Sequence, residues 1–257
     1  MSQRLLVFGD SFTVGQGLDP SNQSPTHADP NCWAFKLAEM LNLPCENQAC
    51  CGSSNKHIWH FLTNTTIQKN DIVIVAWSVP DRHALIKSYA SEQYPAPNAK
   101  NHNNYEFIEK DIVVPFGPWH IGEDIRADAY YHNLYYEADA LLSTYLFMDH
   151  ATSYVERNGG KILHLGIPFT IPFERLVGET TGDWDGYNRV MSNLDPGEPD
   201  DLCFVPHWAK HLKMPLTMTA SIRFHGMTDD GHMSLQAGIY FAQQVKKYMI
   251  QNNYLID

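Results

Sequence analysis

Leu5-Leu6-Val7-Phe8 is continuously apolar, and so is Ile72-Val73-Ile74-Val75-Ala76. Runs with no polar face predict strands covered on both sides, as at the centre of a parallel sheet. Ile162-Leu163-His164-Leu165 predicts a third such strand. Between the strands the period changes from continuous to helical. Trp33, Leu37, Met40 and Leu41 share one face of a helix over 33–41, and Ile58, Phe61 and Leu62 one face of a helix over 53–63. Ser53 or Ser54 would cap the latter. Leu134, Ala138, Leu141, Tyr145, Met148, Thr152 and Val155 recur at steps of four and three, which predicts a long helix over about 133–157. Asn158-Gly159-Gly160 supplies residues that tolerate a left-handed stop. Ile239, Ala242, Val245 and Met249 mark a last helix over about 235–252. Strands alternating with helices of this length predict an α/β sheet with crossover connections.

Two stretches interrupt the alternation. Residues 91–132 include "YPAPNAKNHNNY" and "VPFGPWHIGED", and residues 168–223 include "TTGDWDGYN" and "DPGEPDD". Loops of such length in a compact domain are commonly lids or disordered segments. Trp119, Tyr130, Tyr131, Trp184 and Tyr187 favour ordered decoration above the sheet. With no repeat and no linker composition, residues 1–257 read as a single domain carrying two insertions.

Charge narrows the partners. Eighteen Lys and Arg against 29 Asp and Glu leave a formal charge of −11, and the longest basic run is Lys246-Lys247. Nucleic acid and anionic membrane surfaces are thereby disfavoured, since phosphate binding needs clustered cations. No apolar run approaches a membrane span. Met1-Ser2-Gln3-Arg4 enters the first strand without a signal-peptide pattern, so a cytoplasmic-type protein is expected. Five cysteines, none in C-x-x-C spacing, predict reduced thiols and buried small residues at Cys50-Cys51.

The chemistry enters where the first strand stops. In open α/β sheets ligands lie beyond the carboxyl ends of the strands, and there "GDSFTVGQG" presents Ser11. A serine hydroxyl needs a neighbouring base, itself oriented by a third group. "MTDDGHMS" offers one, with Asp229 three residues before His232 on a loop ahead of the last helix. Asp230 is the alternative acid. Together "FGDSFTVGQG" and "DDGH" resemble the first and last conserved blocks of the SGNH (GDSL) hydrolase superfamily. "ENQACCGSSNKHI" resembles the second block, with its glycine at Gly52. The third block, usually Gly-x-Asn-Asp, is replaced by "WSVPDRH". Trp-Ser-x-Pro-x-Arg is the pattern of a divergent branch met in viral and environmental sequences, which makes a viral or virion-associated origin an expectation.

The resemblance implies a flavodoxin-like three-layer α/β/α sandwich around a mostly parallel sheet of about five strands. It implies a serine esterase with Ser11 as nucleophile, His232 as base and Asp229 as its orienting acid. Ser11 and Gly52 would donate backbone N–H groups to the oxyanion, with Ser78 a candidate third donor. Asp10, Asn55 and Arg82 are candidates for substrate contact; Arg82 could equally pair with a nearby Asp. No metal or organic cofactor is implied. The pairs His57/His60 and His207/His211 have ligand-like spacing, but no third ligand recurs with them, and they read as surface histidines. The aromatic, Asn-rich insertions would suit a sugar, and the range of the superfamily that the chain resembles implies a small acyl group such as O-acetyl on it. Three other readings stay open: an acyltransferase using the same residues, a non-catalytic glycan-binding or structural protein, and a flavin or nucleotide binder. For the last, Gly15-x-Gly17 alone is no phosphate-cradling fingerprint.

Overall fold

A computed structural model describes residues 3–19, 21, 27–88, 107–108, 111–122, 124–166, 212, 214–216 and 218–255. Its central sheet consists, among the described residues, of four parallel strands in the order β2-β1-β3-β7. They are β1 (Leu5–Phe8), β2 (Cys45–Asn47), β3 (Ile72–Trp77) and β7 (Lys161–Gly166). Leu5 pairs with both Cys45 and Ile72, and Ile72 in turn with Lys161.

The continuous apolar runs have the reason expected of them. Leu5 and Val7 of β1, with Ile72, Ile74 and Ala76 of β3, face one layer. Leu6 and Phe8, with Val73, Val75 and Trp77, face the other. The first layer is α2 (Trp33–Leu41) and the last helix, α7 (Leu235–Gln251), where Trp33 meets Phe241 edge to face at 5.2 Å. The second is α3 (Asn55–Asn64) and α5 (Glu137–Arg157), which bury Ile58, Leu62, Tyr145, Met148 and Val155. Ser54 caps α3, accepting from the His57 N–H. Among the described residues no helix is long and apolar enough to cross a membrane.

Part of the first insertion forms an arm. β4 (His83–Ser88) and β6 (Asp111–Phe116) pair antiparallel, with the short β5 (Phe107–Ile108) beyond β6, and α4 (Ile125–Asn133) follows. Tyr131, Ala127 and Leu85 give the arm a small core of its own. Between α4 and α5 the chain breaks: Leu134, expected on the buried stripe of one long helix, caps α4 and is 66% exposed. Four short helical residues form α1 (Ser11–Val14), and α6 (Thr219–His225) precedes the loop to α7. Most of the second insertion, with Trp184, Tyr187, His207 and His211, lies outside the described residues.

The reading of His57 and His60 as surface groups is corrected: both are buried. His57 Nδ1 lies 3.0 Å from Ser53 Oγ. In the core, Trp77 Nε1 donates to His164 Nδ1 (3.0 Å), while His164 Nε2 meets Thr152 Oγ1 (2.9 Å). Thr152 spends its own proton on the Met148 carbonyl, so His164 is the Nε2–H tautomer. Burial lowers His57 and His164 to about 3. It is also the main cause lowering His83 to about 4. These rings fold neutral but protonate near 6.5 when unfolded, so their stability contribution is lost as pH falls from 6.5 towards 3. Asp81, raised to about 6 mainly by burial, works in the opposite direction. With three histidines against one carboxyl, the denaturant midpoint is expected to drop between pH 6.5 and 4.5, above the range of ordinary carboxylates. A midpoint flat over that interval would contradict the neutral core histidines.

Candidate functional site

The chain turns out of β1 at Gly9-Asp10, and Asp10 starts α1. Its backbone is extended, and Oδ1 accepts the Phe12 N–H at 3.1 Å. The cap sets Ser11 on the first turn, beyond the carboxyl end of a central strand, and buries it apart from a small fraction of its surface. Asn47, at the end of β2, donates to the Thr13 carbonyl (2.9 Å), fixing the end of α1 to the neighbouring strand. The loop after β2 runs alongside: the Cys50 N–H donates to the Gly9 carbonyl at 3.1 Å. Gly52 follows at φ +75°, and a side chain added there would enter open space. Gly52 itself is partly exposed.

His232 comes from the far end of the sequence. The loop 226–233 is closed by a Met227–Met233 bridge and by the Thr228 N–H donating to the His232 carbonyl at 2.7 Å. The Gly231 N–H returns to the Thr228 carbonyl (3.0 Å), and Ser234 caps α7 while its hydroxyl donates to the His225 carbonyl (2.8 Å). So braced, the His232 ring lies on the ring of Phe12, the residue after Ser11, with centroids 5.0 Å apart.

The acid beside His232 is Asp230. Its Oδ2 lies 3.2 Å from Nδ1, an ion-pair contact whose angle falls short of a good hydrogen bond. Asp229 is exposed. Burial resists ionisation of Asp230, but the bond from Thr228 Oγ1 (2.5 Å) and the nearby imidazole hold its carboxyl below the usual range. Burial lowers His232, against the pull of Asp230 and Asp10 and assisted by Arg82, so the ring is neutral near pH 7. Gly17, at φ +82°, is the floor of this arrangement. A Cβ there would stand 2.2 Å from Asp230 Oδ1 and 2.7 Å from Thr228 Oγ1.

Ser78, Asn55, Asp10 and Arg82 converge beneath Ser11 in one network. The Ser78 N–H donates to Asn55 Oδ1 (2.7 Å), and Asn55 Nδ2 donates to the Ser78 carbonyl (3.0 Å) and Thr144 Oγ1 (2.9 Å). Asp10 Oδ2 accepts from Ser78 Oγ (2.8 Å) and Arg82 Nη1 (2.9 Å). Two expectations change accordingly. Ser78 has its proton committed to Asp10, not directed at an oxyanion. Asp10 and Asn55 are buried and occupied with protein partners rather than facing a substrate. The thiols beside Gly52 are buried as expected, and Cys51 is pushed up to about 12, chiefly by burial, which leaves it no thiolate near neutrality.

Beyond the end of β1, the turn that carries Ser11 and Phe12 thus meets a loop that carries His232 and Asp230. No protein-family model matches the chain, and no curated protein does. Among solved structures, it is similar to a G-D-S-L family lipolytic protein from Desulfitobacterium hafniense DCB-2, at 10% identity over 96% of this chain and 99% of that one, TM-score 0.43. It is also similar to a family two carbohydrate esterase from Clostridium thermocellum, at 10% identity over 98% and 65%, TM-score 0.46. A third is phospholipase A1 from Streptomyces albidoflavus NA297, at 12% identity over 96% and 99%, TM-score 0.42.

Proposed function

We propose that the chain is a serine esterase of the SGNH type, acting through an acyl-enzyme on Ser11. The observation that carries this reading is the His232 ring seated on Phe12, the residue after Ser11, with Asp230 at its Nδ1. Ser11 Oγ attacks the acyl carbon and its proton passes to His232 Nε2. The oxyanion forms against the N–H groups of Ser11 and Gly52, and collapse expels the alcohol, which takes the proton back from His232. Water then repeats the sequence on the acyl-enzyme. Asp230, in the role the resemblance assigns to Asp229, keeps the Nδ1–H tautomer and balances the transient imidazolium.

For the substrate we propose a small acyl ester, O-acetyl foremost, on a carbohydrate. Supporting it is an aromatic cluster on the arm that follows Arg82, where His83 stacks on Tyr130 at 4.2 Å and the half-buried Tyr135 adjoins it. Such faces suit the apolar side of a sugar.

A fluorophosphonate ester tests the reaction class. Intact mass should gain one adduct, and peptide mapping should put it on Ser11. An unlabelled folded protein, or an adduct elsewhere, refutes the esterase reading. Acetylated sugars compared with long-chain esters then test the substrate.

A further inference from the structure

Asp10 is fully buried directly before Ser11, and its partners are two neutral donors and one cation: the Phe12 N–H, the Ser78 hydroxyl and the Arg82 guanidinium. A buried carboxylate without a charged partner is strongly unfavourable. Arg82, 13% exposed at its side chain, reaches Asp10 from the connection between β3 and the arm. That connection is itself clamped, because the Tyr131 hydroxyl of α4 donates to the Asp81 carbonyl at 2.5 Å. The segment standing where the resemblance expects an asparagine is thus spent on holding Asp10.

We propose that Arg82 is a positioning residue for the chemistry at Ser11: it neutralises Asp10, so that negative charge developing on the acyl oxygen meets N–H groups and not an unbalanced buried anion. This rests on the esterase reading. The charged groups acting on His232 are Asp230 from its own loop, Asp10 from the end of β1 and Arg82 from beyond β3. Arg82 disfavours the imidazolium and Asp10 favours it. Losing Arg82 while Asp10 remains therefore makes His232 more basic, and a general base must be neutral to act.

The test is the rate of Ser11 labelling by a fluorophosphonate between pH 5 and 9, for wild type, Arg82→Gln and Arg82→Lys, with thermal unfolding of each. Arg82→Gln should label roughly 10- to 100-fold more slowly at its plateau, and its acid limb should move to higher pH. Arg82→Lys, which keeps the charge, should hold the wild-type limb and recover most of the rate. A folded Arg82→Gln with an unmoved limb overturns the proposal, whether or not its rate falls. Should Arg82→Gln fail to fold, Arg82→Lys decides: a wild-type limb supports the proposal and an alkaline-shifted limb overturns it. A wild type that is not labelled at all refutes the esterase reading itself, an outcome distinct from either.

Discussion

Asp230→Asn is expected to slow labelling and turnover by about four powers of ten, whereas Asp229→Asn stays within a few-fold of wild type. The structure sets Asp230 Oδ2 3.2 Å from His232 Nδ1. An amide there can offer its N–H to the ring and favour the tautomer that holds its proton on the wrong nitrogen; such a change costs about 10,000-fold in a serine triad. Asp229 is exposed and, among the described contacts, neither an ion pair nor a hydrogen bond joins it to His232, so its loss is small. The pair of variants, compared by kcat/KM on a small acyl ester, separates two adjacent carboxylates. If Asp229→Asn carries the loss and Asp230→Asn does not, the loop works in the register that the sequence resemblance implied.

Gly17→Ala should be nearly as damaging to rate while leaving the protein folded. A left-handed φ of +82° costs a non-glycine residue about 1–2 kcal/mol. The added methyl also collides with Asp230 and Thr228, which must move to admit it. Displacement of about 1 Å in groups that hold a base can cost ~100-fold. We expect a 100- to 1000-fold fall in kcat/KM, with a thermal midpoint lowered by several degrees. A Gly17→Ala enzyme at wild-type rate would show that the contact with Asp230 has no part in the chemistry.

The parts of this molecule that were legible in its sequence are those whose surroundings are uniform. β1 and β3 read correctly because both their faces are buried, so every position had to be apolar. The stripe of α5 and the Gly-containing stop after it read correctly for the same kind of reason. Leu134 did not, because an apolar residue at the right spacing carries no sign that the chain breaks between two helices. The arm strands were missed: His83-Ala-Leu-Ile-Lys-Ser pairs in an antiparallel hairpin whose partner lies more than twenty residues on. Buried His57 and His60 also escaped, since lone histidines at helical spacing do not show which face of α3 meets the core. In the candidate site, the serine and the histidine were visible as motifs. Which of the neighbouring aspartates stands beside His232 was not, because that is set by the turn at Thr228–Gly231 and the approach of Gly17. That Ser78 and Arg82 both turn to Asp10 became visible only when the ends of β1 and β3 were brought together.

The meeting of Phe12 with His232 joins two points separated by almost the whole chain. The two sides are held by different elements: the turn with Ser11 by the end of β1, and the loop with His232 by the start of α7. That loop is anchored only when α7 docks against α2 through Trp33 and Phe241. On the proposed reading, a substitution that loosens α7 from α2 would part the base from the serine without touching either.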